Sequence, residues 1–307
     1  MAKKNSLEAA PIFSGRQMQK IVFETIKIGI IKSNLIAMFA GLSMALLINN
    51  IPMLDKIGEI TLAIIGSAFV IGAAGTFNNL YDRDIDFIME RTKNRPTVTG
   101  QMSSRLALSL GSGMSLLGVV LLYMASPLSA LFGFLGLFLY VVPYTIWTKR
   151  RTIYNTEVGS FSGAVPPLIG WSAVSSDLLE PGAIALFVVM LLWQMPHFYA
   201  IAIRRHDEYK AANVPMLPVV KGFQRTYIQT NVYLAALVLA SFLFWSLSPI
   251  IVAVAFILSA GWLIMSIMGY KKMTSEKWAK MMFIYSLNHL TLLLAVVIGY
   301  SLIRPLF

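Results

Sequence analysis

Three polar side chains spaced four residues apart, Asn78, Asp82 and Asp86, follow a stretch of mostly apolar residues. On an α-helix this spacing places side chains on one face, with a drift of about 40° per step. Two carboxylates and an amide oxygen on one face make an oxygen-rich site of the kind that Mg²⁺ prefers. Because Mg²⁺ usually completes its coordination with water and phosphate oxygens, the spacing predicts a magnesium site that binds a diphosphate.

Basic side chains follow in two groups, one just after the acidic motif and one at the end of a later apolar segment. Arginine binds phosphate through paired hydrogen bonds, and lysine contributes a compact positive charge. With a metal ion, such cations would stabilise diphosphate as a leaving group. A run of charges after a membrane span is usually a solvated cytoplasmic loop. The orientation of the chain in the membrane requires only the basic residues of such a loop, so the acidic residues need another explanation. The candidate diphosphate-binding residues here are Arg91, Lys93, Arg95, Lys149 and Arg150.

The composition favours a helical membrane protein. Of the 307 residues, 57% are hydrophobic and only 13% are charged, whereas a soluble domain carries about 25% charged residues. The sequence has no cysteine, which excludes disulfides, thiolate metal sites and cysteine nucleophiles. A net charge of +11 could indicate nucleic acid as a partner. In so apolar a chain, cytoplasmic loops are the expected source of that charge, and we expect no nucleic-acid binding.

Nine apolar segments are long enough to cross a bilayer core of about 30 Å. All but two of the 25 lysine and arginine residues, Lys56 and Arg304, fall in loops on the same side as the N-terminus. Because cytoplasmic loops are rich in these residues, the N-terminus is predicted inside and the C-terminus outside. Residues 1–25 would form a cytoplasmic tail and residues 26–307 a single transmembrane domain. The predicted spans lie near residues 28–50, 60–81, 104–125, 128–148, 155–174, 182–203, 227–247, 249–269 and 281–303.

A short internal repeat relates residues 78–100 to residues 200–222. At a shift of 122 residues the two segments share the pattern Pro-x-Val-x-Gly, and the acid Glu208 falls on Asp86. Two such halves, each with a charged helix end and a Pro/Gly loop, would face one another across a central cavity. The alternative is two unrelated loops that share common turn residues.

The first acidic motif resembles that of the UbiA superfamily of intramembrane prenyltransferases. Longer motifs resemble, within it, the branch whose members farnesylate haem, and the resemblance covers nearly the whole chain after the N-terminal tail. The matching segments are Asn78-Asn-x-Tyr-Asp-Arg-Asp-Ile-Asp86, Met89-x-Arg91-Thr92-x-x-Arg95-Pro96, Ala164-Val-Pro-Pro-Leu-Ile-Gly-Trp171, Pro196-His-Phe-Tyr-Ala-Ile-Ala-Ile203 and Tyr209-Lys-Ala-Ala-Asn-Val-Pro-Met-Leu-Pro-Val-Val-Lys-Gly222.

The resemblance implies an all-α membrane protein of nine transmembrane helices around a central cavity, with the active site capped by cytoplasmic loops. It implies a multi-pass protein of the cell membrane that transfers farnesyl from farnesyl diphosphate to the C2 vinyl group of haem B. Water would then add to give haem O. Mg²⁺ would be held by Asn78, Asp82 and Asp86. Whether a haem A synthase docks to the protein stays open.

A second acidic cluster, Asp207 and Glu208, lies where many members of the superfamily carry another pair of aspartates. Here those positions hold Arg204 and Glu208, and Tyr209 follows. The haem-farnesylating branch has an acid–tyrosine pair at this place, so the resemblance implies that Glu208 and Tyr209 act in catalysis with the aspartates of the first motif. Whether a second Mg²⁺ binds there stays open. Arg204 could contact either diphosphate or a haem propionate.

Two side chains of the sixth predicted span are candidate haem contacts. His197 lies two helical turns before Arg204. It could contact haem, even as an axial ligand, relay protons, or simply form a hydrogen bond within the membrane. Trp193, one turn before His197 on the same helix, could line the same pocket.

Two charged side chains near the inner ends of spans have more than one interpretation. Lys32 could extend to the lipid headgroups or reach the diphosphate. Glu157 is expected to pair with Arg150 or Arg151, because an unpaired carboxylate is unfavourable inside a membrane. In the same span, Pro166-Pro167 is expected to break the helix.

Three other functions stay open at this point, one of which is a non-catalytic scaffold that handles haem. A prenyltransferase that acts on an aromatic quinone precursor would share the magnesium site. A divalent-cation or proton transporter would also carry intramembrane acids and structural repeats, but its acids would lie near the bilayer midplane. The two acidic clusters of this sequence fall at predicted helix ends, which favours the prenyltransferase.

Overall fold

The computed structural model of the chain describes residues 14–306, so Lys3 and Lys4 of the predicted tail lie outside the described part. Within these residues the secondary structure is helical and contains no strand. In chain order the helices are α1 (Gly15–Thr25), α2 (Ile28–Ile48), α3 (Ile57–Tyr81), α4 (Arg83–Ile88), α5 (Pro96–Thr99), α6 (Ser104–Ala125), α7 (Pro127–Leu139, continued by a π-helix over Tyr140–Thr148), α8 (Asn155–Ala164), α9 (Pro166–Val174), α10 (Pro181–Arg204), α11 (His206–Ala211), α12 (Leu217–Ala240), α13 (Pro249–Tyr270) and α14 (Ser275–Ile303).

Eight helical stretches of the described residues are long and apolar enough to cross a membrane. They are α2, α3, α6, α7 with its π-helical continuation, α10, α12, α13 and α14. The remaining predicted span, 155–174, consists of the two shorter helices α8 and α9, which part at Pro166. Proline lacks the N–H that would continue the hydrogen bonding of α8, as the Pro-Pro pair predicted. The all-helical fold is confirmed, while the count of nine spans and their orientation stay predictions.

Close backbone contacts join the helices of the bundle. α2 packs along α9, α3 packs along α6, and α10 packs against α8, α12 and α14. A side chain at Gly170 of α9 would overlap the backbone carbonyl of Met38 in α2, and one at Gly41 of α2 would overlap the carbonyl of Pro167. Small residues at such crossings let helices approach closely in lipid, where packing drives association.

The N-terminal segment contains a helix that the sequence analysis did not predict. At the start of α1, the Ser14 hydroxyl accepts a hydrogen bond from the backbone N–H of Gln17, and the Gln17 side chain accepts one from the N–H of Ser14. This reciprocal cap stabilises the first turn. Ile21 of α1 is buried against Met102. Lys27, in the left-handed conformation with φ 57°, forms the corner between α1 and α2.

The ends of α3 and α10 share one local arrangement. Each of the two long helices is followed by a helix of six residues, α4 and α11 respectively. Further along, each segment reaches a glycine with positive φ, 82° at Gly100 and 76° at Gly222, a conformation that other residues rarely adopt. These two glycines are related by the shift of 122 residues found in the sequence, and the repeat itself stays a prediction.

Candidate active site

The three oxygen donors of the first motif lie together where α3 meets α4. Asn78, Asp82 and Asp86 are all buried. The Asp82 N–H donates to the Asn78 carbonyl at 2.9 Å, and the Asp86 N–H donates to the Asp82 carbonyl at 2.8 Å. Helical hydrogen bonding therefore continues across the junction and keeps the three residues near one face. The Asn78 amide donates to Asp82 Oδ2 at 2.8 Å and to Thr145 Oγ1 at 3.0 Å.

Basic side chains from three separate segments converge on these donors. Lys149, which follows the π-helix, forms an ion pair with Asp82. Arg95, which precedes α5, forms an ion pair with Asp86. The third base is Lys27, at the corner between α1 and α2. Its Nζ donates to the amide oxygen of Asn78 at 2.5 Å. The site therefore combines two acids with three bases at the ends of helices.

The electrostatic environment of Lys27 favours the binding of an anion. Burial is the main factor that lowers the pKa of Lys27 well below its usual value, and the positive charges of Arg95 and Lys149 lower it further. An anion placed among these three bases would offset their mutual repulsion and stabilise the charged form of the lysine. The cluster is therefore suited to a ligand with several negative charges, such as a diphosphate.

A fourth base, Arg150, bridges the motif to its exposed neighbour. Its guanidinium donates to both carboxylate oxygens of Asp84 at 2.7 Å and lies 3.5 Å from Asp82 Oδ1. It also donates to the carbonyl of Tyr81 at 3.0 Å and lies over that ring at 4.9 Å. The hydrogen bond from Arg150 is the main factor that lowers the pKa of Asp84. Arg150 thereby links the segment after the π-helix to the beginning of α4.

The second acidic cluster meets the first through the loop after α4. Glu208 of α11 accepts a hydrogen bond from Arg205 at 2.6 Å and a longer one, 3.5 Å, from the backbone N–H of Arg91. Tyr209 packs against a buried cluster that includes Ile85 and Met89. The two charged helix ends are therefore neighbours in the fold, as the predicted central site requires.

The donor set of the first motif fits a hard divalent cation. No group of three or more His, Asp or Glu side chains in residues 14–306 forms a ready metal site; the donors are two carboxylates and one amide. Asp82 Oδ1 is buried without a hydrogen bond, and its ion-pair partner Arg150 lies 3.5 Å away, although a buried carboxylate oxygen normally has a closer partner. Oxygen ligands with an open lone pair are those that Mg²⁺ prefers.

Comparison with known proteins decides the family. A sequence model of the UbiA prenyltransferase family matches residues 34–287. The chain belongs to the UbiA prenyltransferase family. A relative from Shouchella clausii (strain KSM-K16), protoheme IX farnesyltransferase, is 65% identical over 98% of this chain and 97% of its own length. This agrees with the resemblance found in the sequence.

Solved structures show that the fold is shared across this family. The structure of digeranylgeranylglyceryl phosphate synthase matches with a TM-score of 0.74 at 17% identity, over 92% of this chain and 98% of that one. A UbiA homologue from Archaeoglobus fulgidus, bound to GPP and Mg²⁺, matches with a TM-score of 0.62 at 14% identity, over 91% and 99% of the two chains. The UbiA fold predicted from the motifs is therefore confirmed.

Not every predicted diphosphate-binding residue of this UbiA prenyltransferase reaches the acidic motif. The side chain of Lys93 pairs with Glu90 at 2.7 Å, and both are exposed. The side chains of Arg91 and Lys32 are also exposed. In the described part of the chain, none of these three bases forms an ion pair or hydrogen bond with the aspartates of the motif. The exposed position of Lys32 on α2 agrees better with lipid headgroups.

Lys27 is the site residue that the sequence analysis missed. In the sequence it contributed only to the predicted orientation in the membrane, because it precedes the first predicted span and belongs to no motif. The feature that brings it to Asn78 is a left-handed backbone conformation, which is uncommon for a residue other than glycine and leaves no clear pattern in one sequence. Conservation across the UbiA prenyltransferase family would be the signal to look for.

The candidate haem contacts of this UbiA prenyltransferase form one stacked face between α10 and α14. The His197 ring stacks on Trp193 with centroids 4.6 Å apart and on Phe283 at 5.2 Å. Its Nδ1 lies 2.7 Å from Ser286 Oγ. Further along α10, the exposed guanidinium of Arg204 lies 5.0 Å from the centre of the Phe283 ring. The structure therefore brings His197, Trp193 and Arg204 to the same face.

The expected partner of Glu157 was wrong. Its carboxylate accepts hydrogen bonds from the Tyr199 hydroxyl at 2.5 Å and from the Gln229 amide at 2.6 Å. Arg150 is unavailable to it because its guanidinium faces Asp84 and Asp82. The sequence showed that an intramembrane carboxylate needs partners, but it did not show that neutral side chains from α10 and α12 supply them.

Proposed function

We propose that this chain transfers a farnesyl group from farnesyl diphosphate to the C2 vinyl group of haem B, with addition of water, to give haem O and diphosphate. The observation that carries the proposal is the buried trio of Asn78, Asp82 and Asp86, each of which contacts a base from a separate segment. The identity of 65% to a protoheme IX farnesyltransferase, over almost the full length of both chains, supports the choice of substrates.

In this proposal Asn78, Asp82 and Asp86 hold Mg²⁺. When bound, Mg²⁺ would neutralise charge on the diphosphate and so favour its departure. Lys27, Lys149 and Arg95, which now pair with the three donors, would turn to phosphate oxygens, to which lysine and arginine bind strongly. Their position around the donors places positive charge where the leaving group accumulates negative charge.

The bond changes define what the site must accomplish. The C1–O bond of farnesyl diphosphate breaks, and its electron pair leaves with diphosphate. The vinyl double bond of haem supplies the pair for the new C–C bond, which leaves a cation on the vinyl carbon attached to the porphyrin. Water adds to that carbon and loses one proton. The protein must therefore stabilise the diphosphate and restrict water until the C–C bond has formed.

The two apolar substrates have separate candidate surfaces. An apolar cleft of about 250 Å³ lies between α2, α3 and α14, lined by Leu35, Ile36, Phe39, Ile64 and Ile298. It begins two helical turns along α2 from the corner that carries Lys27, within reach of a farnesyl chain whose diphosphate binds at the corner. The stacked face of Trp193 and His197 would support haem, with Arg204 near a propionate or the diphosphate.

We further propose that Glu208 and Tyr209 complete the catalytic site and that this site faces the cytoplasm. The contact of Glu208 with the loop after α4 supports the first point. The distribution of lysine and arginine in the loops supports the second, with the N-terminus inside and the cell membrane as the location. The position of Asp82 and Asp86 after the end of α3 also favours a transferase over a transporter with acids at the midplane.

The product of the purified protein tests the proposal. The protein in liposomes is incubated with haem B, farnesyl diphosphate and Mg²⁺, and the extracted pigment is analysed by mass spectrometry. We expect a haem species heavier by one farnesyl group and one hydroxyl group. Unchanged haem, together with a prenylated product when an aromatic quinone precursor is supplied instead, would assign the chain to the other substrate class.

A further inference from the structure

The corner between α1 and α2 is built to hold Lys27 in an unfavourable conformation. α1 ends at Thr25, α2 begins at Ile28, and Lys27 between them has φ 57° and ψ 55°. A residue with a side chain adopts this left-handed conformation only where its surroundings enforce it. Something next to the corner must therefore fix the backbone on both sides of Lys27.

Asn79 of α3 provides one of these constraints. Its side chain is fully buried, and its amide Nδ2 donates to the Thr25 carbonyl at 2.9 Å and to the Glu24 carbonyl at 3.4 Å. The last carbonyls of a helix lack partners within the helix, so this amide closes the end of α1. On its other side, the Asn79 carbonyl accepts a hydrogen bond from Thr97 Oγ1 at 3.3 Å, two residues after Arg95.

Gly75, one turn earlier on α3, provides the second constraint. A Cβ atom at this position would lie 3.1 Å from the Ile26 carbonyl oxygen and 3.3 Å from Lys27 Cδ. The corner can therefore rest directly against the backbone of α3. The two neighbouring amide side chains therefore make different contacts. Asn78 accepts a hydrogen bond from the Lys27 ammonium, and Asn79 donates to the backbone at the end of α1.

We infer that Asn79 is a positioning residue that fixes the end of α1 so that Lys27 reaches the site of Asn78 and Asp82. The inference rests on the proposed function, because during turnover the partner of Lys27 is the diphosphate. It assigns the N-terminal helix a role in substrate binding. Asn79 itself touches neither the donors' carboxylates nor the phosphate, and it acts through Lys27.

A double-mutant cycle between Asn79 and Lys27 tests this inference. Loss of the amide should raise the KM for farnesyl diphosphate about tenfold in Asn79→Ala, the size expected from about 1.4 kcal/mol of binding energy, with the KM for haem B within about twofold of wild type. In a Lys27→Ala background the same change should add less than about twofold, because residues that act through one another are non-additive. Full additivity, or an equal rise in both KM values, would overturn the inference.

Two further variants keep the test independent of folding. Gly75→Ala places a methyl group against the corner at the second constraint, so it should also raise the KM for farnesyl diphosphate. In the Lys27→Ala background the same substitution should cause no further rise. Asn49→Ala is the matched control, since Asn49 also donates to a backbone carbonyl, that of Ala45 at 2.8 Å, at the opposite end of α2. If Asn49→Ala raised that KM as much, a general loss of helix stability would replace the positioning role.

Binding of inorganic pyrophosphate separates this inference from the proposed function. Calorimetry with Mg²⁺ and pyrophosphate needs no haem and no turnover. We expect the affinity to fall about tenfold in Asn79→Ala and to change little further when Lys27→Ala is already present. If the affinities for pyrophosphate follow this pattern but the wild-type protein makes no haem O, the proposed substrates are refuted and the positioning role stands. Equal affinities of wild type and Asn79→Ala would refute the positioning role.

Discussion

Lys149, directly after the π-helix that extends α7, forms an ion pair with Asp82 directly after the end of α3. A base and an acid from distant parts of the sequence thereby meet at one end of the bundle. Arg95 and Lys27 repeat the pattern at the two other donors of the motif. The site is an acidic centre enclosed by bases, which is the arrangement that a metal-bound diphosphate requires.

Replacement of Lys149 should weaken the binding of the prenyl donor. Under the proposed function Lys149→Ala removes a charged partner of the diphosphate, so we expect the KM for farnesyl diphosphate to rise about tenfold to hundredfold, as for loss of one charged hydrogen bond. Steady-state kinetics with haem B held at saturation measures this change. Lys93→Ala is the matched control, because its exposed pair with Glu90 predicts a change of about twofold or less. Equal effects of the two variants would remove Lys149 from the diphosphate site.

Removal of divalent metal should abolish turnover reversibly. Two carboxylates and one amide hold Mg²⁺ only in part, so chelation by EDTA is expected to stop haem O formation and added Mg²⁺ to restore it. Asp86→Asn should raise the Mg²⁺ concentration needed for half-maximal activity, because it removes one carboxylate from the donor set. Activity that survives EDTA, or an unchanged Mg²⁺ dependence in Asp86→Asn, would contradict the assigned donors.

Loss of the His197 imidazole should affect haem and spare the prenyl donor. His197→Phe keeps a ring between Trp193 and Phe283, and we expect the KM for haem B to rise about tenfold with the KM for farnesyl diphosphate unchanged. Ser286→Ala removes the hydroxyl that lies beside Nδ1 and that donates to the Phe283 carbonyl, and it should have a smaller effect. If Ser286→Ala equalled His197→Phe, hydrogen bonding within the membrane would account for the histidine.

The contact between α2 and α9 should be sensitive to a single methyl group. Gly170→Ala forces a Cβ into the carbonyl of Met38, and overpacking of this kind costs about 1–3 kcal/mol. Gly113→Ala in α6 has no atom within 4 Å of the new Cβ and should stabilise by about 0.5–1 kcal/mol through helix propensity. Thermal unfolding in detergent compares the two variants. An equal melting temperature would show that the helices separate readily at this crossing.

The length of the apolar segments and the spacing of the motifs predicted most of the architecture. The long apolar stretches became helices, and the break expected from Pro166-Pro167 separates α8 from α9. The four-residue spacing of the acidic motif persists as continuous hydrogen bonding from Asn78 to Asp86. These features depend on local chain geometry, so one sequence is enough to predict them.

Features that depend on tertiary contacts were not predicted. α1 is anchored by Ile21 and by the amide of Asn79, and Lys27 depends on a left-handed corner that these contacts enforce. The partners of Glu157, Tyr199 and Gln229, come from helices whose facing surfaces periodicity does not identify. The sequence predicted that the basic residues as a group bind diphosphate. Only the structure shows that Arg95 and Lys149 contact the aspartates while other candidate bases are exposed.

The most direct test compares Asp82→Asn with wild type in liposomes supplied with haem B, farnesyl diphosphate and Mg²⁺, with haem O quantified by mass spectrometry. Asp207→Asn, which alters an exposed acid paired with His206, is the control and should keep wild-type activity. We predict that Asp82→Asn lowers kcat/KM by at least about a hundredfold, as expected when a group that stabilises transition-state charge is lost. Wild-type rates of haem O formation by Asp82→Asn would contradict the account.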